Sequence, residues 1–339
     1  MRVLHVDATR EWRGGQTQLL HLATRLPGSV VALPPDALLL PALRAAGVPV
    51  LPVAFRGPLR GTRGLAEAIR AANPDLVAAH TSHAHGHAVR ATGRPVVVHR
   101  RLDFRPGWTS RLKYRRARRF VAVSGAVRDV LVRYGVPADR IDVVLDGVDR
   151  SAIDRARPEP TALRNELGLD PGARVCLAVG ALVAHKGHRL LVEALALLPE
   201  WHGLIAGEGP LGPTLSRQAA RLGVGGRLHL LGRREDVPRL HKSVDLVVHP
   251  SLEEGMGQAV AEALIAGARV VAADAGGLAE IVDGLGLVVA PGDPRALAEG
   301  IRVGSSLVPP DPRRLRGRFT VEAMVAGTAE AYRRALAPG

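Results

Sequence analysis

Apolar residues along this chain come in short unbroken runs rather than in alternation, and stretches of helical periodicity separate them. The first half carries RVLHV (2–6), SVVAL (29–33), VPVL (48–51), DLVAAH (75–80), PVVVH (95–99), FVAVS (120–124) and IDVVL (141–145). The second half repeats the plan with RVCLAVG (174–180), HGLIAG (202–207), RLHLLG (227–232), DLVVHP (245–250), ARVVAAD (268–274) and GLVVA (286–290). Such runs predict strands buried on both faces, and hence a parallel sheet with helices above and below it. Each half is expected to be a doubly wound α/β unit.

The stretch between the halves, 149–174, is polar and proline-bearing, which sets the expected boundary near 157–161 and the domains at 1–158 and 159–319. After the connector VPPDPRR (308–314), Thr320 reads as the N-cap of a final helix over 320–337 that is expected to pack back on the first domain. Two such units facing one another would surround a central cleft with the carboxyl ends of both sheets, where ligands of doubly wound proteins bind.

Composition narrows the function classes. The 339 residues, 47% of them hydrophobic, are enough for two cores. The one cysteine, Cys176, lies inside an apolar run and reads as a core residue, so an intrachain disulfide and a cysteine metal cluster are excluded. The start MRVLHVDATREWRGG lacks the pattern of a secretory leader, and a cytoplasmic location is expected. No eighteen consecutive residues are apolar, so no membrane-spanning helix is expected. Forty-six Lys and Arg against thirty-two Asp and Glu give a net charge of +14, which favours nucleic acid, anionic lipid or phosphorylated small molecules as partners.

The segment PSLEEGMGQAVAEALIAG (250–267) points to the last of these. It keeps Glu254 and Glu262, eight positions apart, in surroundings of small and apolar residues, and a carboxylate there needs a partner. The loop glycines let backbone N–H groups approach an anion, and the helix expected from Gly257 adds unpaired donors and a positive dipole end. A diphosphate suits that position. Glu262 is five residues beyond Gly257, about 7.5 Å along the helix axis, which is the reach of a ribose next to the diphosphate. Three further loops follow predicted strands: VGALVAHKGH with Lys186, AGEGPL with Gly207 to Gly209, and EWRGGQTQ with Gly14 and Gly15. Read singly, Lys186 is also compatible with a solvated loop residue and the glycine pairs with plain βα turns.

Taken together, these residues resemble the retaining GT-B glycosyltransferases of family 4, which transfer a sugar from a nucleotide donor. The match runs nearly end to end, and its most specific part is the Glu254–Glu262 spacing, supported by DGVD (146–149), HKGH (185–188), GEGP (207–210) and AGGLAEIV (275–282). The resemblance implies a GT-B fold, two Rossmann-like domains facing a central cleft. It implies that Glu254 contacts the transferred sugar, Glu262 the ribose, and Gly255, Met256, Gly257 and Gln258 the phosphates through backbone donors. Lys186 and the Gly14–Gly15 loop would hold the diphosphate, with Gln16, Gly207, Glu208, Gly209 and Arg233 completing the donor side. On the acceptor side it points to His80, Asp146 and Gly147.

Two positions depart from the family pattern. Ala181 stands where an arginine often follows the strand glycine, here Gly180, so half of the usual cationic pair on the phosphates is missing. A cleft histidine is common after the fifth strand; an ungapped alignment places Arg101 there and His99 two residues earlier, and both are catalytic candidates. No DxD triplet occurs, so no metal and no other cofactor is expected. His80, His83, His85 and His87 crowd one segment, yet zinc would need a further ligand that is not local. The segment 100–120 carries nine basic residues and one acid, with Trp108 and Tyr114 among them, and suits an anionic membrane face with aromatic anchors or a phosphorylated acceptor. No nucleic-acid module accompanies it. The expected function is transfer of a sugar to a glycan or lipid-linked acceptor in cell-surface polysaccharide or lipopolysaccharide synthesis, at the inner face of the membrane. The rival readings are a nucleotide-sugar epimerase and a non-catalytic polyanion-binding protein on the same scaffold.

Overall fold

The computed structural model describes residues 1–101, 110–315 and 317–337. The chain divides into two compact units, Met1–Gly147 with Phe319–Gly339, and Val148–Arg318. The first is built on seven strands: β1 (Val3–Val6), β2 (Ser29–Leu33), β3 (Val50–Pro52), β4 (Leu76–Ala79), β5 (Val96–Arg100), β6 (Arg119–Ala122) and β7 (Ile141–Val143). They lie in the order β3-β2-β1-β4-β5-β6-β7 and every pairing is parallel, with Val3 of β1 opposite Ser29 on one side and Leu76 on the other.

The second unit has six strands: β8 (Arg174–Val179), β9 (Trp201–Ala206), β10 (Leu228–Gly232), β11 (Leu246–His249), β12 (Val270–Ala273) and β13 (Leu287–Val289). Their order is β10-β9-β8-β11-β12-β13, again all parallel. The central strands explain the unalternated runs. Val3, Leu4 and Val6 in the first sheet and Cys176, Leu177 and Ala178 in the second are fully buried, because helices cover both faces. Both halves are doubly wound α/β units.

The strand order reverses between β1 and β4 in one sheet and between β8 and β11 in the other. In doubly wound sheets the loops leaving such neighbours part to opposite faces and open a crevice at the carboxyl edge. The loops after these four strands carry Gly14–Gly15, His80, Lys186 and Glu254.

The first unit ends at Gly147, upstream of the expected 158. The reason is the short helix Arg150–Arg155, whose carboxyl end is tied to the second unit: Lys242 Nζ donates to the carbonyls of Ile153 (2.6 Å) and Ala156 (2.8 Å). The last helix, Val321–Leu336, is N-capped by Thr320, whose hydroxyl accepts from Ala323 N (3.0 Å). Its Met324, Ala331, Tyr332 and Ala335 pack with Val3, Leu22, Leu76, Val97 and Val121 in the core of the first unit. Among the described residues no helix is long and apolar enough to cross a membrane.

Candidate functional site

In the second unit β11 ends at His249, the loop 250–257 follows, and the helix Gln258–Ile265 begins behind Gly257. Gly257 has φ +89°, a left-handed conformation, and a Cβ there would collide with the Leu278 side chain. Only glycine meets both conditions. Gly187, at φ +66°, is required for the same two reasons: a Cβ would run into the Pro250 carbonyl, so its loop packs directly on the β11 loop.

That packing brings Lys186 to Glu254. Glu254 Oε2 accepts from Lys186 Nζ (2.5 Å), His249 Nε2 (2.9 Å) and Ser251 Oγ (3.4 Å), while Gly277 N donates to its carbonyl (3.2 Å). Burial alone would raise this carboxyl, but the His249 hydrogen bond and the Lys186 charge together outweigh it and hold the group at about 2. His249 is lowered, chiefly by burial, and stays neutral with its proton on Nε2 toward the carboxylate. All three contacts fall on Oε2. Oε1 has no hydrogen-bond partner among the described residues.

Glu262 is placed differently. It is half-buried beside Val260, Ala261, Ala263 and Leu264, and its one side-chain contact is a hydrogen bond from Gln258 Nε2 (3.2 Å). Burial pushes its carboxyl up to about 7, against a smaller opposing effect of Gln258. Among the described residues no cation reaches it. Beyond the Gln258 bond its acceptor capacity is left to solvent or to a ligand.

Gly207 and Gly209 permit close backbone approach. A Cβ at Gly209 would lie 2.6 Å from the Leu182 carbonyl oxygen, and Leu182 N donates to Glu208 O (2.9 Å). Arg233 N donates to Glu208 Oε1 (3.4 Å), while the exposed Arg233 guanidinium forms no ion pair among the described residues. Its neighbour Arg234 is instead committed to Asp236 and Glu166.

In the first unit Gly14 and Gly15 open the helix Gly14–Arg25, and a Cβ on Gly15 would lie 3.7 Å from Arg101 Cδ. Gln16 is buried, with Nε2 donating to Asp7 (2.8 Å) and Oε1 accepting from Arg13 N (3.1 Å). Both ends of its amide are thus held by protein. Asp146 accepts from Arg101 Nε (3.0 Å), and burial raises its carboxyl against the pull of that guanidinium. Gly147 exchanges two hydrogen bonds with the buried Gln18 amide (2.9 and 3.0 Å), and a Cβ would lie 2.5 Å from Val321 Cα.

A row of buried rings stands behind Arg101. Ser29 Oγ gives its proton to the Leu26 carbonyl (2.7 Å), so its oxygen must accept from His5 Nε2 (3.1 Å). His5 then offers the Nδ1 lone pair to His80 Nε2 (3.0 Å), which must donate. That leaves a lone pair on His80 Nδ1, facing Arg101 Nη1 (3.5 Å). Burial, the leading cause, lowers both histidines and keeps them neutral, so each ring dictates the tautomer of the next. His99 stacks on His80 (4.3 Å between ring centres) and meets the Tyr332 hydroxyl through Nε2 (2.7 Å).

The residues that sequence reasoning missed are the ones that hold others in place: His249 and Ser251 behind Glu254, His5 and Ser29 behind His80, Tyr332 behind His99. Histidines at strand ends were the available signal. Of the basic segment, 102–109 with Trp108 lies outside the described residues. Tyr114 is no membrane anchor, because it is buried and stacked on His85 (5.4 Å). Among the described residues no group of three His, Cys, Asp or Glu could hold a metal ion.

The Glycosyl transferases group 1 profile matches residues 160–303 and the Glycosyltransferase Family 4 profile matches 12–152. Over 172 residues the chain is 40% identical to the D-inositol 3-phosphate glycosyltransferase of Mycolicibacterium gilvum, covering 47% of this chain and 38% of that one. Over 209 residues it is 31% identical to the lipopolysaccharide core biosynthesis mannosyltransferase LpsB of Rhizobium meliloti, covering 57% and 56%. The chain thus spans about half the length, or less, of these curated relatives. Among solved structures, Anabaena HepE in complex with UDP is similar at TM-score 0.86 and 26% identity, over 98% of this chain and 100% of that one. HepE with UDP-glucose matches at TM-score 0.86 and 25% identity, over 98% and 99%. With one profile on each doubly wound unit, the chain belongs to the family 4 glycosyltransferases of the GT-B fold.

Proposed function

We propose that the chain is a retaining glycosyltransferase that takes a sugar from a nucleoside-diphosphate donor and passes it to a glycan or lipid-linked acceptor. The observation that carries the reading is Glu262, a half-buried carboxyl with one amide for company, one helical turn beyond the start of the Gln258–Ile265 helix, whose preceding loop holds the Glu254 paired to Lys186. A ribose supplies the two hydroxyls such a group lacks. In this reading the diphosphate docks at the start of the Gln258–Ile265 helix, where backbone donors from Gly255 to Gln258, Lys186 and Arg233 meet the charge that develops as the leaving group departs. Gly207, Glu208 and Gly209 form the adjoining wall. Glu254 Oε1 receives a hydroxyl of the sugar, with its partner oxygen anchored by Lys186 and His249. The cationic groups take the electrostatic part that a metal plays elsewhere, and no cofactor is required.

The first unit takes the acceptor, with Arg101 as the catalytic cation, His99 and His80 behind it, Asp146 and Gly147 flanking it, and Gly14–Gly15 contributing to the phosphates. HepE was solved with UDP and UDP-glucose, which makes a uridine nucleotide the first donor to test. The relatives named for inositol phosphate and for lipopolysaccharide core favour a polyol or cell-surface glycan acceptor, reached at the cytoplasmic face of the membrane. The test is calorimetric titration with UDP, GDP and ADP, followed by transfer from the matching sugar nucleotide. Binding of one nucleotide that Glu262→Ala weakens at least tenfold is the expected result. Conversion of donor to an isomeric nucleotide sugar without acceptor would replace transfer by epimerisation, and no nucleotide binding would end the reading.

A further inference from the structure

We propose that a cavity of about 740 Å³ in the first unit, lined among others by Phe55, Val89, Arg90, Leu112, Lys113 and Arg116, binds a phosphate ester carried by the acceptor. The inference rests on the reading of this unit as the acceptor side.

Four elements build the cavity: the loop after β3, the start of the helix Pro58–Ala72, the helix Ser82–Ala91 and the helix Ser110–Arg116. Its volume is that of a small-molecule site. Its chemistry is divided. Leu112 is 73% exposed although large and apolar, and with Phe55 and Val89 it offers a hydrocarbon or sugar face. Three cations line it as well, none of which forms an ion pair with a carboxylate among the described residues. Arg90 Nη1 donates to the Gly86 carbonyl (2.6 Å), and Lys113 Nζ donates to Ser82 O (3.3 Å) and Oγ (2.8 Å), which holds the ammonium at the start of the Ser82–Ala91 helix.

Clustering like charges around one cavity is unfavourable, and Lys113 registers it: burial first, then the charges of Arg100 and Arg90, hold its ammonium below the usual lysine range. Some basic side chains of this unit have acids beside them, as Arg119 has Asp142 and Arg10 has Asp36. Among the described residues no acid supplies the counter-charge of the cavity cations. Two arginines and a helix-start lysine around one concavity suit the three oxygens of a phosphate, and the apolar lining suits the carbon frame that bears it.

The full chain is titrated with glycerol phosphate by calorimetry, and in parallel sedimented with phosphatidylcholine vesicles with and without phosphatidic acid. Arg90 and Arg116 are exposed, so Arg90→Ala/Arg116→Ala should keep the fold, checked by circular dichroism. The expected result is roughly a tenfold or greater loss of affinity for the responding probe, since each charge-assisted contact contributes at least severalfold. Arg63→Ala, at a surface pair away from the cavity, should change nothing. A response to glycerol phosphate identifies a water-soluble ester, and a response confined to phosphatidic acid vesicles identifies a lipid phosphate; either supports the site. Unchanged binding in the double variant, or no response to either probe, overturns it. UDP titration of the same proteins keeps the two readings apart: the cavity variants should bind UDP as the wild type does, and failure of the wild type to bind UDP would remove the donor site while leaving the phosphate result to stand on its own.

Discussion

Replacing Glu262 by glutamine should stabilise the protein and weaken its nucleotide binding at the same time. The carboxyl ordinarily titrates at 4.5 and is raised to about 7 in the folded chain, chiefly by burial. At 1.36 kcal/mol per tenfold change in proton affinity, that displacement amounts to roughly 3 kcal/mol of destabilisation once the group ionises. A raised carboxyl leaves stability intact below its unfolded value; the loss grows between pH 4.5 and about 7 and is complete above. Glutamine has the same shape, keeps the contact with Gln258 and never ionises. The variant should therefore exceed the wild type by about 2–3 kcal/mol at pH 8 and by less than about 1 kcal/mol at pH 5. For a unit of this size the gain at pH 8 corresponds to roughly 5–10 °C in melting temperature. Thermal denaturation followed by circular dichroism at the two pH values measures it. Calorimetry should show uridine nucleotide affinity falling about tenfold, because a charged acceptor of two ribose hydroxyls has become a neutral one. A variant no more stable than wild type at pH 8, or equally stabilised at both pH values, would refute the account of Glu262 as an acid held without a cation.

Four further outcomes follow from the same geometry. Wild-type nucleotide affinity should strengthen from pH 5 to about 7 and then level off, since ribose hydroxyls favour the ionised Glu262; a flat profile by titration calorimetry would contradict this. Glu254→Gln should lower sugar transfer by about 10²–10³ while leaving UDP affinity within severalfold, measured by steady-state kinetics; full turnover would remove Glu254 from the chemistry. Gly257→Ala should destabilise the second unit by about 2–4 kcal/mol in urea denaturation, because the left-handed backbone and the Leu278 contact both oppose a Cβ. Tyr332→Phe should reduce stability by roughly 1 kcal/mol through loss of the hydroxyl at His99, and an unchanged midpoint would mean that the bond is not formed in solution.

Much of the architecture was legible because burial on both faces writes an unmistakable pattern. Thirteen apolar runs became thirteen strands, since few other structures hide an unalternated stretch such as DLVVH. The spacing of Glu254 and Glu262 was equally informative, because two acids amid small residues stand out against the expectation of burial. What escaped was the support around them. His249 belongs to the β11 run, and nothing in the run tells whether its ring turns to the core or to the next loop. His5 and Tyr332 meet through long-range packing of the first strand and the last helix, which local periodicity does not encode. The edge of the compact unit at Gly147 escaped for a related reason: the helix Arg150–Arg155 looks like linker by composition and is recruited by two backbone carbonyls on Lys242. Tyr114 sat among charges in the sequence and was read as exposed, whereas the helix carrying it turns the ring inward onto His85.

The hydrogen bonds from Leu26 to Arg101 run one way only. Each neutral imidazole has a single proton to give and a single lone pair to offer, so the direction taken at the Ser29 hydroxyl is carried, ring by ring, to the guanidinium. Rotating that one hydroxyl would oblige two imidazoles to exchange their protons between nitrogens and would turn a donor toward Arg101 in place of an acceptor. The guanidinium can only donate, so a serine on an inner strand and the arginine at the far end demand the same order of protons, and alanine at position 29 would leave Arg101 alone to impose it.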